Sequence, residues 1–279
     1  MLTIFTEGGN LMVSIAYFKQ HHSPTNFLIA SLACADFALD MTVLPFSTVR
    51  SVETCWYFGE IFCRFHCCLD VSFSLASVFH LCFISVDRYV AVNYPLIYAV
   101  IFTVPVSGIF IAVAWTFSLM YSFSVVYTGA HDEGLQELVS TLSCEGSCQI
   151  FFNKTWVVVS SLLYFITFSA MIALYSKIFA VAKRQARMIE IMSNNTQSSN
   201  NYSDRVGKRE RKAAKTLGIP VIAFLEFWSP YLITVIIDIF LNFITPHLGF
   251  DIVAWFAYSF DLLSPLSLVS KSNVSDCEL

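Results

Sequence analysis

Charge is what this chain has least of. Only 13% of its 279 residues are Asp, Glu, Lys or Arg, about half the share usual in a soluble domain. With 56% hydrophobic residues, that scarcity excludes a soluble fold. Long apolar runs separated by short polar ones predict an integral membrane protein embedded in the lipid bilayer. The chain does not open on a basic stretch followed by a small-residue cleavage site, so no cleavable signal peptide is expected. It has no nucleotide-binding loop and no metal-ligand spacing, which argues against an enzyme and leaves no cofactor to expect. The last apolar run has no lysine before Lys271, at its very end, so a covalently attached retinal is excluded. Inverted repeats and interrupted helices of the transporter kind are not visible, and a transporter is the more distant of two alternatives considered below.

The few charges are unevenly spread. Ten of the 16 Lys and Arg lie between Lys177 and Lys215, whereas Asp132, Glu133, Glu137 and Glu145 share another loop. The positive-inside rule makes the basic loop cytoplasmic and the acidic one external. It also explains the basic run without a nucleic-acid partner. Seven apolar runs are read at about residues 1–18 (incomplete), 24–49, 60–93, 102–127, 155–188, 206–243 and 250–269. They form one seven-span unit over 1–270, with a short cytoplasmic tail at 271–279 and the amino terminus outside. The stretch 191–204, polar and low in complexity, reads as a mobile loop. Glycosylation sequons stand at Asn153, Asn194, Asn201 and Asn273, and only Asn153 falls outside, close to the membrane.

The run from Cys63 to Pro95 organises the rest. It holds one acid near its start, Asp70, and the triplet Asp87-Arg88-Tyr89 near its end. As a helix, the stretch between the two acids covers roughly 25 Å, close to the thickness of a hydrocarbon core. Ser74 and Ser77 share a helical stripe with Asp70. An isolated carboxylate at such depth costs about 2.5–3.5 kcal/mol on insertion scales, so it is expected to face a cavity and meet a cation. A structural ion pair is disfavoured, because few basic residues lie in the outer halves of the runs. Cys63 and Cys148 both fall on the outer side and are available to pair in an oxidising compartment. Cys34 and Cys82 read as small packing residues.

Several short stretches carry a resemblance to the rhodopsin-like G-protein-coupled receptors. These are Gly9-Asn10, L-A-C-A-D at 32–36, W-Y-F-G-E-I-F-C at 56–63, Asp87-Arg88-Tyr89, Trp115 and F-W-S-P at 227–230. Four longer ones resemble the trace amine-associated receptors, and within them the expanded mammalian olfactory branch. They are S-V-E-T-C-W-Y-F-G at 51–59, Cys144 and Cys148 around Gly146, R-V-G-K-R-E-R-K-A-A-K-T-L-G at 205–218 and F-I-T-P at 243–246.

The resemblance implies an all-α, seven-transmembrane helix bundle at the plasma membrane that binds a small protonated amine. It also implies coupling to a heterotrimeric G protein of the stimulatory type and a rise in cyclic AMP. Asp70 matches the residue that holds the ligand ammonium, with Ser74 beside it. Trp228, Tyr231, Trp255 and Tyr258 match aromatic positions around it, where cation–π contacts are available. Ser160 stands where some relatives carry a second acid, which points to monoamines over diamines. Cys63 and Cys148 match the disulfide that ties the second outer loop to the third span. Arg88 and Glu210 match the link between the third and sixth spans at rest, flanked by Asp87 and Tyr89. Tyr175 and Pro265 match other parts of the activation switch. Asp36 and Ser77 match two ligands of an inner sodium site.

The chain departs from the pattern at Thr167, Glu226, Phe260 and Asp261. At 264–268, Ser264 and Leu268 replace an asparagine and a tyrosine. Together with short ends, these departures set up the nearer alternative, a non-signalling remnant that keeps the amine pocket.

Overall fold

The computed structural model describes residues 23–52, 56–130, 133–134, 148, 152–195, 201–241, 244–246 and 248–260. The first run, with Gly9-Asn10, and everything beyond Phe260, including Pro265, lie outside the described residues. So does Cys144.

In hydrocarbon a backbone has no water to bond, so each apolar run must satisfy its own N–H and C=O groups, and a helix does this locally. The described residues form helices joined by short connections, with no strand among them. They are α1 (Pro24–Thr42), α2 (Leu44–Val52), α3 (Glu60–Asn93), α4 (Pro95–Ile101) and α5 (Val104–Ser122), which closes in a π turn at Phe123–Tyr127. Then come α6 (Lys154–Asn195), α7 (Asn201–Phe240) and α8 (Leu248–Phe260). Prolines open several of them: Pro24 in α1, Pro95 in α4 and Pro105 in α5 occupy first turns, where the missing N–H has no intrahelical partner to lose.

Among the described residues, five segments are long and apolar enough to cross a membrane: α1 with α2, α3, α5 with its π turn, the Lys154–Val181 part of α6, and the Val221–Phe240 part of α7. The apolar α8 is shorter. The architecture is an all-α membrane bundle. At its centre stands α3, packed against α1, α5, α6 and α7. In α3, 61% of the apolar window is buried within the protein, against 17% in α6, so α6 turns most of its apolar surface, Phe165 and Ile166 included, to lipid. The 42 residues of α6 and 40 of α7 run to roughly 60 Å each, about twice a hydrocarbon core. Both extend beyond the bilayer at the end that carries the basic residues, called the basic end here. The polar stretch 191–204 is therefore helical on both flanks, through Asn195 and again from Asn201. Favourable i→i−4 bonding continues the long helices past the point where apolar character stops.

Two local features shape the interior. The second run is broken at Val43, two residues before Pro45, and restarts as α2. His66 of α3 reaches the Val43 carbonyl at 3.1 Å; since a carbonyl only accepts, Nε2 carries the proton. The break is thus tied to the central helix. At the other end, α7 approaches α6 closely at Gly218, where a Cβ would stand 3.1 Å from Tyr175 Cε1. Tyr175 and its neighbours Met171, Ile178, Val221 and Phe224 form the principal apolar core with α1 and α3.

Candidate functional site

A cavity of about 370 Å³ opens among α2, α3, α5, α6, α7 and α8, toward the end of the bundle that carries the disulfide. Asp70 lines it from α3, and the Tyr258 hydroxyl of α8 donates to Asp70 Oδ2 at 2.6 Å. Tyr164 and Tyr231 add aromatic wall from α6 and α7. Ser160 lines the α6 side; its hydroxyl donates to the Trp156 carbonyl at 2.7 Å, so its oxygen accepts from Tyr121, also at 2.7 Å. A side chain bonded on both sides is held in a single rotamer.

Not every residue singled out from sequence reaches the cavity. Asp70, Ser160, Tyr231 and Tyr258 line it; Ser74, Trp228 and Trp255 do not. On α3 the lining passes from Asp70 and Val71 to Leu75, and Ser74 is buried in the helix packing. Trp228 is stacked with Tyr164 (ring centroids 6.3 Å apart) and meets Tyr231 edge-on at 5.9 Å. Its indole N–H has no hydrogen-bond partner among the described residues. Trp255 supports the site from behind: its indole donates to Ser51 at 3.0 Å, and its ring packs edge-on to Tyr258 at 5.9 Å.

Three charged residues in the lining escaped the sequence reading: Arg50 of α2, Asp238 of α7 and Asp251 of α8. Each sits at the end of an apolar run, where a charge ordinarily reads as membrane interface. Asp238 accepts from the backbone N–H of Thr245 at 3.0 Å and from its hydroxyl at 2.5 Å, clamping the connection between α7 and α8.

At the disulfide end, Cys63 is joined to Cys148 (Cα–Cα 5.7 Å). Trp56, Cys67, Cys68 and Val126 bury this joint. Asn153 caps α6, accepting from the Trp156 N–H at 3.1 Å, while its amide nitrogen donates to the carbonyls of Ala130 and Glu133. That nitrogen is the atom a glycan would need, and in this conformation the two carbonyls engage it.

Below the cavity, Ser77 donates to Asp36 Oδ1 at 2.7 Å, and both are buried. At the basic end, Asp87 is fully buried and takes four donors. Arg88 reaches Oδ2 through Nε at 2.8 Å and through a second nitrogen at 2.5 Å, Thr25 reaches Oδ2 at 2.9 Å, and Tyr98 reaches Oδ1 at 2.7 Å. Arg88 also donates to Thr25. Burial, with the Asp87 carboxylate alongside, pushes the Tyr98 phenol up from its usual value, so it stays protonated and donates. Lys177 stands 5.8 Å over the Tyr89 ring. The side chain of Glu210 lies outside those described.

Residues 9–266 match the pattern of the 7 transmembrane receptor (rhodopsin family). The chain is similar to human trace amine-associated receptor 9, 58% identical over 261 residues that make up 92% of this chain and 75% of the relative. It is likewise similar to the mouse form of that receptor, 56% identical over 95% of this chain and 76% of the relative. Rat trace amine-associated receptor 7a is 57% identical over 92% and 73%. These matches leave the transporter alternative without support.

Proposed function

Because this chain belongs to the rhodopsin-family seven-transmembrane receptors, and within them to the trace amine-associated receptors, a family without enzymatic activity, we propose that it binds small protonated amines at Asp70. It does so at the plasma membrane, with its amino terminus outside, and passes the signal to a stimulatory G protein and cyclic AMP. The observation that carries the reading is Asp70 itself: a carboxylate set in the wall of an otherwise mostly apolar and aromatic cavity within a membrane bundle. An ammonium supplies charge-assisted hydrogen bonds there, and the rings of Tyr164, Tyr231 and Tyr258 offer π faces to its hydrogens. Tyr258 steadies the carboxylate by donating to one oxygen and leaves the other for the ligand.

The remaining parts follow the same logic. Ser160 brings a hydroxyl and no carboxylate to the α6 wall, which favours monoamines on that side; the further acids of the cavity, Asp238 and Asp251, come from α7 and α8. Ser74, Trp228 and Trp255 act behind the cavity wall, positioning the residues that touch the ligand. The bond between Cys63 and Cys148 ties residue 148 to the outer end of α3. Asp36 and Ser77 present oxygen donors suited to a hard monovalent cation such as sodium. Arg88 is turned inward onto Asp87 and Thr25, as befits a resting receptor, and meets the G protein once it swings free. Glu210, Tyr175, Tyr89 and Pro265 complete that switch.

Replacing Asp70 with Asn keeps the shape and removes the charge. Loss of one partner of a buried ion pair costs about 3–5 kcal/mol, a few hundredfold to several thousandfold in affinity. Binding of labelled amines to purified receptor measures this. Unchanged binding by Asp70→Asn would place the amine elsewhere.

A further inference from the structure

Arg50 has no part in the function proposed above. It lies in the last turn of α2, half-buried, and its side chain lines the same space as Asp70, Tyr231 and Tyr258. It makes no direct ion pair with Asp70. Three carboxylates and one guanidinium thus share a single cavity, and Asp238 is already engaged by Thr245. A buried acid in a membrane protein needs a compensating charge, and Arg50 is the one cationic side chain among the described lining residues.

We propose that Arg50 sets the affinity of this site: before an amine enters it is the counter-charge of Asp70, and an entering ammonium has to compete with it. The proposal rests on the amine-pocket reading. The ammonium and Arg50 then compete for the Asp70 carboxylate within one cavity, where unit charges several ångströms apart still interact appreciably. Arg50 therefore lowers affinity for every simple monoamine while stabilising the ligand-free receptor. Its placement follows from the break at Val43, because α2 restarts there as a separate helix and brings its last turn to the cavity rim.

The test is a double-variant cycle on the full chain, with two readouts. In thermal unfolding without ligand, Arg50→Gln and Asp70→Asn should each lower the Tm, and the double variant should lose clearly less than the sum of the two. In titrations with 3-methylbutylamine as the probe, Arg50→Gln should lower the half-saturating concentration about tenfold, while Arg50→Lys, which keeps the charge, should stay within about twofold of wild type. Additive Tm losses overturn the proposal, as does an Arg50→Gln half-saturation that is unchanged or raised. Should Arg50→Gln alone fail to fold, recovery of folding in the double variant supports the coupling and continued failure overturns it. Should the probe not saturate wild type, the thermal cycle decides by itself. Full-strength probe binding by Asp70→Asn refutes the amine-pocket reading instead, and the thermal cycle still reports on the two charges.

Discussion

A free cysteine, Cys67, lies beside the disulfide, and this gives an asymmetric prediction. Cys63 is bonded to Cys148, and the Cys67 sulfur lies 3.8 Å from that of Cys148. All three sulfurs fall within 4.8 Å of one another, and Cys67 stands one turn along α3 from Cys63. If Cys63 becomes Ala, a bond between Cys67 and Cys148 needs their sulfurs to close from 3.8 Å to about 2.05 Å, a shift within reach of side-chain rotation and a small loop adjustment. The restraint on the unfolded chain barely changes. The native bond spans 85 residues and the substitute 81, and closing either loop corresponds to up to about 4.5 kcal/mol in the chain-entropy picture. Cys63→Ala should therefore keep a disulfide and much of its surface expression. Cys148→Ala should lose both, and Cys63→Ala/Cys67→Ala should match Cys148→Ala. Non-reducing peptide mapping by mass spectrometry identifies the bond, and flow cytometry of an epitope-tagged chain reads expression. Free thiols at both Cys67 and Cys148 in the mature Cys63→Ala protein would refute the reasoning.

Two further substitutions test the packing at the basic end. Tyr98→Phe keeps the ring stacked on Phe102, with centroids 5.8 Å apart, but removes the donor to Asp87. Losing one such bond, about 1 kcal/mol, should raise amine-independent G-protein activation about fivefold, and an unchanged basal signal would count against Asp87 as the inward anchor of Arg88. Gly218→Ala puts a Cβ 3.1 Å from a buried Tyr175 ring. Overpacking of that kind costs about 1–3 kcal/mol, against about 1 kcal/mol gained by Ala over Gly inside a helix, so with the Tyr175 ring fixed in the core the Tm should fall by a few degrees; an unchanged or raised Tm would mean that α6 and α7 have room to spare there.

Asp70 was legible from sequence because a lone carboxylate inside an apolar run has a large cost that only a cavity and a cation offset. Asp36 was legible for the same reason, whereas Asp87 was singled out only through the Asp87-Arg88-Tyr89 motif at the end of its run, and its full burial came from the structure. Ser74 shows where that logic stops. Helical period places it on the stripe of Asp70, yet the cavity lining turns to Leu75 instead. Which face of the stripe is open depends on how neighbouring helices lean against α3, and period carries no information about that. Trp228 and Trp255 were identified as aromatics of the site, but whether a ring touches the cavity or stands behind another ring is decided by contacts between distant segments, such as Trp255 with Ser51.

By itself, then, the sequence determined the membrane class, the all-helical architecture and the family. Each of these follows from local hydropathy, from helical rise or from contiguous motifs. The tertiary structure alone decided that Arg50, Asp238 and Asp251 share a cavity with Asp70, that Cys67 sits beside the disulfide, and that Arg88 is turned inward onto Asp87 and Thr25. The charges at the ends of apolar runs look alike in sequence, because a run's end marks the interface whichever way the side chain points. Their placement comes from the break at Val43 and from the approach of α7 and α8 to α3, and these distances are set by side chains far apart in the chain packing against one another.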